Sequence, residues 1–301
     1  MTQPRHTEPV PLGGGSGPPY SKGLMARALM AVGVPGERAY ELARLIEKDI
    51  AARGADGIDL DHLTELAVET LGEVEGLEAM RRLRSYRELR ELDLPIILLV
   101  GGATGTGKST VATEAAYRLG ITRVTSTDFV RQTMRAFFSR DFMPLIHYSS
   151  FEAGDALAEP EGDAAVQGFL EQTRNVLAGV RAALDRALEE GWSMVLEGVH
   201  LVPGMIPEPA IEGALVVQCV LAIEEEEMHA SHFMIRDAAS GGTRPMEKYM
   251  DRFDEIRRIQ RLIVGRARRS GVPVIENTQM ERAVSSVMEL VLSGAERLQR
   301  V

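Results

Sequence analysis

The feature that most constrains the fold is a glycine-rich segment that directly follows a continuous apolar run. Residues 95–100 are uninterrupted apolar residues, which is typical of a parallel strand buried on both faces. Residues 102–109 read GATGTGKS and match the pattern G-x-x-x-x-G-K-S/T, and a helical stretch at 110–119 follows. Strand, loop and helix in this order predict a phosphate-binding loop at the edge of a parallel sheet.

Each part of this loop has a chemical reason. Glycines let the backbone curl so that successive N–H groups point at phosphate oxygens, and the helix amino-terminus adds partial positive charge. Lys108 would reach the β- and γ-phosphates, and the Ser109 hydroxyl would bind Mg²⁺. A chance glycine turn before a helix is the alternative. The residues predicted to bind ATP are Gly102, Ala103, Thr104, Gly105, Thr106, Gly107, Lys108, Ser109 and Thr110.

The chain divides into a short leader, a helical part and an alternating part. Residues 1–19 are rich in proline and glycine, which predicts a flexible leader. Residues 20–93 show helical periodicity and no strand-like alternation, which predicts a small all-helical domain. From 94 to 301, apolar runs of strand length alternate with helical stretches. This pattern predicts an α/β domain with a mostly parallel sheet between helical layers.

Composition narrows the class of protein. The 301 residues are 45% hydrophobic and 26% charged, as in ordinary globular chains. A net charge of −10 argues against broad binding to nucleic acid or to an anionic membrane. No apolar run is long enough to cross a bilayer, no signal sequence is visible, and the single cysteine, Cys219, fits a small core residue. We therefore expect a cytoplasmic protein; the sequence leaves open whether it forms a homo-oligomer.

Two carboxylates follow predicted strands. Asp128 comes after the strand predicted at 122–125, where it could accept the proton of a substrate hydroxyl that attacks the γ-phosphate. The alternative for Asp128 is a helix cap. Glu197 follows the strand predicted at 194–196 and would bind Mg²⁺ together with Ser109, beside the substrate. His200 either points into this cleft toward substrate or packs beneath it.

Basic and hydroxyl side chains follow Asp128. Arg131 and Arg135 are four residues apart, so they share a helix face and would suit a second anionic group on the substrate. A solvated basic face is the alternative. The segment 143–150 that follows predicts a substrate wall. Its candidate contacts are His147, Ser149 and Ser150.

The segment 224–251 is highly charged and contains a pair of glycines, which predicts a mobile lid. Arg236 and Arg244 flank the glycines and would meet the phosphates when the lid closes, as catalytic residues. His229 and His232 are three residues apart and could in principle share a metal. No cysteine or carboxylate pattern completes such a site.

Beyond the phosphate loop, several motifs resemble the 2-phosphoglycerate kinase family. The matching segments are 101–110, 126–128, 143–150 (MPLIHYSS), 196–204 (LEGVHLVPG) and 254–260. The resemblance runs from about residue 94 to residue 280. It implies a P-loop kinase that uses ATP to phosphorylate the free hydroxyl of 2-phosphoglycerate, giving 2,3-bisphosphoglycerate. Arg131 and Arg135 fit this substrate because it already carries a phosphate and a carboxylate.

Residues 20–90 resemble, over a shorter set of motifs, an ATP-cone, which is a small helical nucleotide-binding module. The carriers are 20–24 (YSKGL), 38–40 (RAY) and the helix at 78–90. The resemblance implies a regulatory or assembly role for this part. The alternative is that these helices pack against the kinase core and serve its folding.

Two other functions stay open at this point. One is the same chemistry on another hydroxyl, such as that of glycerate, a sugar acid or a nucleoside. The other is a nucleotide-sensing regulator that binds ATP and transfers nothing. Asp128 beside a lid that carries arginines favours a kinase, because a sensor needs neither.

Overall fold

A parallel β-sheet forms the centre of the chain after residue 94. The computed structural model describes residues 10, 12, 19–92, 94–206, 213–240 and 246–299, with backbone only at 236–240 and 299. Within these residues the strands are β1 (Ile96–Gly102), β2 (Val124–Ser126), β3 (Met194–Gly198), β4 (Leu215–Ala222) and β5 (Val274–Glu276). Their order is β2-β3-β1-β4-β5, and each neighbouring pair is parallel. The predicted α/β fold is confirmed.

Helices precede this sheet and cover its faces. In chain order they are α1 (Lys22–Ala31), α2 (Gly36–Arg53), α3 (Leu60–Leu71), α4 (Glu73–Glu91), α5 (Lys108–Leu119), α6 (Thr127–Phe137), α7 (Ala164–Glu189), α8 (Glu226–Ser240), α9 (Met246–Met250), α10 (Phe253–Arg269) and α11 (Met280–Gln299). Short 3₁₀ helices lie at Pro144–His147 and Ala153–Ala156. The segment between α9 and α10 is short, and there the Arg252 side chain pairs with Asp155 at 2.7 Å.

Alternate residues of β1 face different helical layers. Ile96, Leu98 and Val100 belong to a buried cluster that includes α5 and α11. Ile97 and Leu99 pack with α7 on the opposite face. A strand buried on both faces needs apolar residues at every position, which accounts for the uninterrupted run in the sequence.

The helices before residue 94 share the first of these cores. Leu29 of α1 and Leu83 of α4 lie in the same buried cluster as Val111 of α5 and Val287 of α11. The helical content expected for 20–93 is present, but the core does not divide at residue 93. This packing favours the interpretation in which the N-terminal helices serve folding of the whole chain.

Buried arginines reinforce the junction. Arg118 of α5 donates to the carbonyl of Met30 at 3.2 Å and to both carboxylate oxygens of Glu281 at 2.7 and 2.8 Å. Arg90 of α4 donates to the carbonyl of Leu119 at 2.6 Å. The bonds from Arg118 to Met30 and from Arg90 to Leu119 cross between the N-terminal helices and the sheet domain, and a hydrogen bond to a charged group typically contributes about 1.5–3 kcal/mol.

Two residues near the middle of the leader contact the helical part. Val10 is buried in the shared core, and the Leu12 carbonyl accepts a hydrogen bond from the Ile58 N–H at 2.8 Å. The flexible leader expected at 1–19 therefore does not extend to these two positions. Its residues 1–9, 11 and 13–18 lie outside the described residues.

Two further observations concern the hydropathy of the described part of the chain. None of the helices there has the length and hydropathy that crossing a bilayer requires. Cys219 is buried in β4, as expected for a core residue, and burial raises the pKa of its thiol to about 12.

Candidate active site

The phosphate loop joins β1 to α5, and its glycines adopt backbone angles that other residues rarely adopt. The φ angles of Gly102, Gly105 and Gly107 are 147°, 88° and 77°. Lys108 is the first residue of α5, and its Nζ donates to the carbonyl of Ala103 at 3.3 Å. The ammonium group therefore folds back over the start of the loop, at the amino-terminus of a helix.

Side chains from outside the motif hold the loop carbonyls. His229 Nε2 lies 2.8 Å from the carbonyl of Thr104, and His232 Nδ1 lies 3.0 Å from the carbonyl of Gly105. A carbonyl only accepts, so both ring nitrogens carry the proton there. Each histidine thus supports the loop, which differs from the metal-sharing pair that their spacing allowed.

Burial and electrostatics keep His229 neutral. The residue is fully buried, and its Nδ1 lies 3.3 Å from Nη1 of Arg257. Burial, with the Arg257 charge adding to it, lowers the pKa of His229 to about 4. A neutral ring donates from one nitrogen to the loop and accepts with the other.

Asn277, which follows β5, is a loop contact that the sequence analysis missed. Its Nδ2 donates to the carbonyl of Thr106 at 2.9 Å. A Cβ on Gly107 would collide with this amide, which explains why glycine occupies that position. Asn277 and Thr106 are far apart in sequence and meet only in the folded chain, so no sequence motif predicts their contact.

Ser109 and Glu197 meet at the carboxyl edge of the sheet, as predicted. The Ser109 hydroxyl donates to Glu197 Oε1 at 2.9 Å. Glu197 is 7% exposed, and its buried Oε2 has no hydrogen-bond partner among the described residues. A buried carboxylate oxygen without a donor, beside a hydroxyl, is a donor set that suits Mg²⁺.

Asp128 lies in the first turn of α6 and is not the helix cap. The cap is Ser126, whose Oγ accepts from the Phe129 N–H at 3.0 Å. Asp128 Oδ1 accepts from Nε and Nη2 of Arg131 at 3.0 and 2.8 Å. Partial burial would raise the pKa of Asp128, but the Arg131 charge and hydrogen bonds outweigh it, so the pKa lies below its ordinary value.

Arg131 and Arg135 occupy different environments. Arg131 is 4% exposed, and its Nη1 donates to the carbonyls of Ile146 and Tyr148, both at 2.8 Å. The solvated-face alternative is therefore wrong for Arg131. Arg135 is exposed, and its Nη1 donates to Gln132 Oε1 at 2.8 Å.

Two side chains of the candidate substrate wall make hydrogen bonds with other protein groups. His147 Nε2 donates to the carbonyl of Phe138 at 3.0 Å, and Ser150 is buried. Ser149 Oγ accepts from Lys248 Nζ at 3.4 Å. Lys248 belongs to α9 in the predicted lid and also pairs with Glu152 at 3.3 Å. A lid cation that the sequence analysis did not single out thus reaches this wall.

Two lid arginines, Arg236 and Arg244, are predicted to be catalytic. Arg244 lies outside the described residues, as does the side chain of Arg236, whose backbone belongs to α8.

His200 packs beneath the site. It is completely buried, with Nδ1 2.9 Å from Thr127 Oγ1 and Nε2 2.9 Å from Gln172 Oε1. Burial, with a contribution from the Arg131 charge, lowers the pKa of His200 to about 3, so the ring is neutral. Of the two positions left open for His200, the structure shows the packed one, because both ring nitrogens are engaged by protein groups out of solvent and none is left for the substrate contact.

A cavity of about 480 Å³ opens beside the phosphate loop. Ile235 of α8 and Met280 of α11 contribute exposed apolar side chains to it, with 66% and 44% of each residue exposed. Its lining includes Lys108, Thr110, His232, Ile235, Asn277 and Met280. The cavity therefore combines the cationic end of the loop with apolar walls.

Comparison with known proteins identifies the family. No protein-family model matches the chain. A 2-phosphoglycerate kinase of Methanothermobacter thermautotrophicus is 38% identical over 286 residues, covering 93% of each chain. The chain belongs to the 2-phosphoglycerate kinase family. The 2-phosphoglycerate kinase of Thermococcus kodakarensis is 36% identical over 93% of this chain and 95% of its own, and that of Methanopyrus kandleri 35% identical over 91% and 84%.

The alignment extends the resemblance seen in the sequence motifs. An alignment of 286 residues is longer than the part of the chain after residue 94, so family similarity includes N-terminal helices.

Similarity to solved structures is low. A shikimate kinase from Acinetobacter baumannii is 17% identical with a TM-score of 0.40, over 66% of this chain and 94% of that one. A gluconokinase from Sinorhizobium meliloti is 16% identical with a TM-score of 0.37, over 68% and 94%.

Proposed function

We propose that this protein transfers the γ-phosphoryl group of ATP to the free hydroxyl of 2-phosphoglycerate, forming 2,3-bisphosphoglycerate and ADP. The observation that carries the proposal is the meeting of two groups at one sheet edge. On one side are the phosphate loop and the Ser109–Glu197 pair, and on the other is Asp128 held by the fork of Arg131. Similarity to named 2-phosphoglycerate kinases across most of the chain supports the choice of acceptor.

The donor side binds ATP. Backbone N–H groups of the loop and the amino-terminus of α5 hold the phosphates, Lys108 stabilises the charge that develops on the γ-phosphate, and the nucleoside occupies the cavity walled by Ile235 and Met280. Ser109 and Glu197 are the residues that would hold Mg²⁺, since they meet at this edge and Glu197 keeps a buried carboxylate oxygen without a hydrogen-bond partner. When bound, the ion neutralises charge on the β- and γ-phosphates.

The acceptor side positions the hydroxyl. The acceptor oxygen forms a bond to the γ-phosphorus as the bond to the β–γ bridging oxygen breaks, and Asp128 accepts the hydroxyl proton. Because Arg131 keeps Asp128 ionised, the carboxylate is ready to accept a hydrogen bond from the substrate. Arg135 binds the phosphate or carboxylate of the substrate, and His147, Ser149 and Ser150 form the wall beside it.

The test is an acceptor panel. Purified protein with ATP and Mg²⁺ is given 2-phosphoglycerate, 3-phosphoglycerate or glycerate, and products are identified by phosphorus NMR. We expect 2,3-bisphosphoglycerate from 2-phosphoglycerate at the highest kcat/KM. Preference for glycerate or 3-phosphoglycerate would reassign the acceptor, and ATP binding without product from any acceptor would indicate a sensor.

A further inference from the structure

A buried glutamine that none of the sequence motifs includes lies at the centre of the acceptor side. Gln172 of α7 is fully buried, and its Nε2 lies 2.6 Å from the carbonyl of Leu145 and 3.0 Å from that of Tyr148. Because carbonyls only accept, the amide nitrogen faces them and Oε1 faces His200 at 2.9 Å. The orientation of the Gln172 amide is thereby fixed.

This orientation gives the hydrogen-bond chain a single direction. Gln172 Oε1 can only accept, so His200 Nε2 carries the proton and donates to it. His200 Nδ1 then accepts from the hydroxyl of Thr127 at 2.9 Å. Thr127 is the residue immediately before Asp128 and is itself fully buried.

The same chain closes on Asp128 from the other side. The Tyr148 carbonyl that accepts from Gln172 also accepts from Nη1 of Arg131 at 2.8 Å. Arg131 in turn donates twice to Asp128. Asp128 is therefore held at two points of one ring of contacts, through Arg131 and through Thr127, and Gln172 is the member that joins the two arms.

Close backbone packing seats Gln172 within reach of these groups. One helical turn earlier, a Cβ on Gly168 would collide with the backbone of Gly154. A Cβ on Gly154 would lie 2.5 Å from the carbonyl of Ala164. With glycine on both sides, α7 lies directly against the 3₁₀ turn Ala153–Ala156, and no side chain holds the two apart.

We propose that Gln172 is a positioning residue for the phosphoryl acceptor: it fixes Asp128 and the carbonyls of the 144–148 turn relative to each other. The inference rests on the proposed function, in which Asp128 receives the acceptor hydroxyl. Gln172 contacts no substrate and acts through His200, Thr127 and Arg131. In a buried network each lost partner leaves another polar group unsatisfied, so the effect of one substitution spreads through the ring.

The experiment compares Gln172→Met with a matched control. Methionine keeps the volume and removes every hydrogen bond of the amide. We expect kcat/KM for 2-phosphoglycerate to fall by on the order of 10- to 100-fold, the cost of a small misplacement of a reacting group, while KM for ATP stays nearly unchanged. The control is Gln260→Met, since Gln260 is also a buried helical glutamine bonded to backbone, at Ile223 N and O. It should lower the melting temperature without the acceptor-selective loss.

Thr127 provides a second pair of variants, which can be tested even if the Gln172→Met protein does not fold. Thr127→Val removes the hydroxyl that donates to His200, so it should reproduce the selective decrease in kcat/KM for the acceptor. Thr127→Ser retains the hydroxyl and should keep kcat/KM for the acceptor near the wild-type value. The double variant Gln172→Met with Thr127→Val should lose little more than the stronger single variant, because both break the same ring.

Outcomes separate this inference from the proposed function. The positioning role would be overturned if the variants change the kinetic constants for ATP and for the acceptor equally. It would also be overturned if the folded variants lose thermal stability but keep wild-type kinetics. If Gln172→Met does not fold, unchanged acceptor kinetics in Thr127→Val would overturn it. If the wild type prefers another hydroxy acid, the proposed acceptor is wrong, and the same ratios measured with that acceptor still decide the role of Gln172. A wild type that transfers to no acceptor would end both proposals.

Discussion

The phosphate loop at the centre of the donor side is built from neighbours in the sequence, whereas the acceptor side is built from residues far apart in it. The phosphate loop and the first turn of α5 form one uninterrupted segment whose glycines adopt the required backbone angles, and His229, His232 and Asn277 support its carbonyls from outside. The acceptor side joins α6, the 144–148 turn, α7 and the segment after β3 through Arg131, Gln172 and His200.

This difference teaches what each side contributes. The donor side supplies fixed dipoles and a cation where charge develops, so a single substitution there removes stabilisation of the transition state. The acceptor side holds the acceptor hydroxyl in position, so substitutions there change its orientation. They should therefore affect kcat and KM to different extents. Substitutions on the two sides should therefore leave different kinetic signatures.

The largest effect is expected at the donor cation. Lys108→Ala should lower phosphoryl transfer by on the order of 10³–10⁵, comparable to removing a cation from the transferred phosphoryl group, with the fold intact. Product formation and thermal melting monitored by circular dichroism are the measurements. A folded Lys108→Ala protein with wild-type turnover would show that the loop is not the donor site.

Asp128→Asn should give the largest effect on the acceptor side. Asparagine keeps the shape but takes no proton, so kcat should fall by on the order of 10²–10⁴ with KM for ATP little changed. The control is Asp185→Asn, an exposed carboxylate of α7 with 58% of its side chain exposed. A decrease in kcat of less than tenfold would move the base role to another group.

A third substitution tests the boundary between the two sides. Glu197→Gln keeps the contact with Ser109 but removes the charge, so the Mg²⁺ concentration for half-maximal activity should rise by about 10–100-fold. Titration of Mg²⁺ at saturating ATP and acceptor measures it. An unchanged Mg²⁺ requirement would remove Glu197 from the metal site.

The contrast between local and distant contacts also explains what could be predicted from the sequence. The motif at 102–109 and the apolar run before it define β1, the loop and α5 because each depends on adjacent residues. Asp128 and Glu197 were placed at the correct sheet edge, since parallel strands end together. The sequence left two positions open for His200, in the cleft or beneath it, because its burial depends on α7, which approaches only in the folded chain.

The sequence does contain a pattern that indicates burial of Gln172. It lies between Phe169 and Val176 on the face of α7 that the apolar spacing turns toward the core. A glutamine on such a face implies a buried partner, but the pattern does not say which one. Asn277 follows β5 with no comparable periodicity around it, and only the three-dimensional contact with Thr106 reveals it.

A smaller effect on the acceptor side is expected from Arg135→Ala. Loss of one exposed charge-assisted contact, worth about 1.5 kcal/mol, should raise the acceptor KM by roughly tenfold and leave KM for ATP unchanged. Arg181→Ala, at a second exposed arginine with 66% of its side chain exposed, is the control. If both variants retain the wild-type acceptor KM, Arg135 is a solvated surface residue.

The smallest effect at neutral pH is expected where a histidine supports the donor loop. The folded-state pKa of His229 is about 4, below the unfolded value near 6.5, so the unfolded chain binds more protons between these values. The stabilisation is complete above pH 6.5 and is lost as the pH falls toward 4, by up to about 1.4 kcal/mol per pH unit. His229→Gln replaces the ring by an amide that donates to the Thr104 carbonyl without titrating. Its activity at neutral pH should stay close to that of the wild type, while denaturant unfolding between pH 4 and 6.5 should show a flatter dependence. An equal pH dependence of both proteins would mean that folding does not lower the pKa of His229.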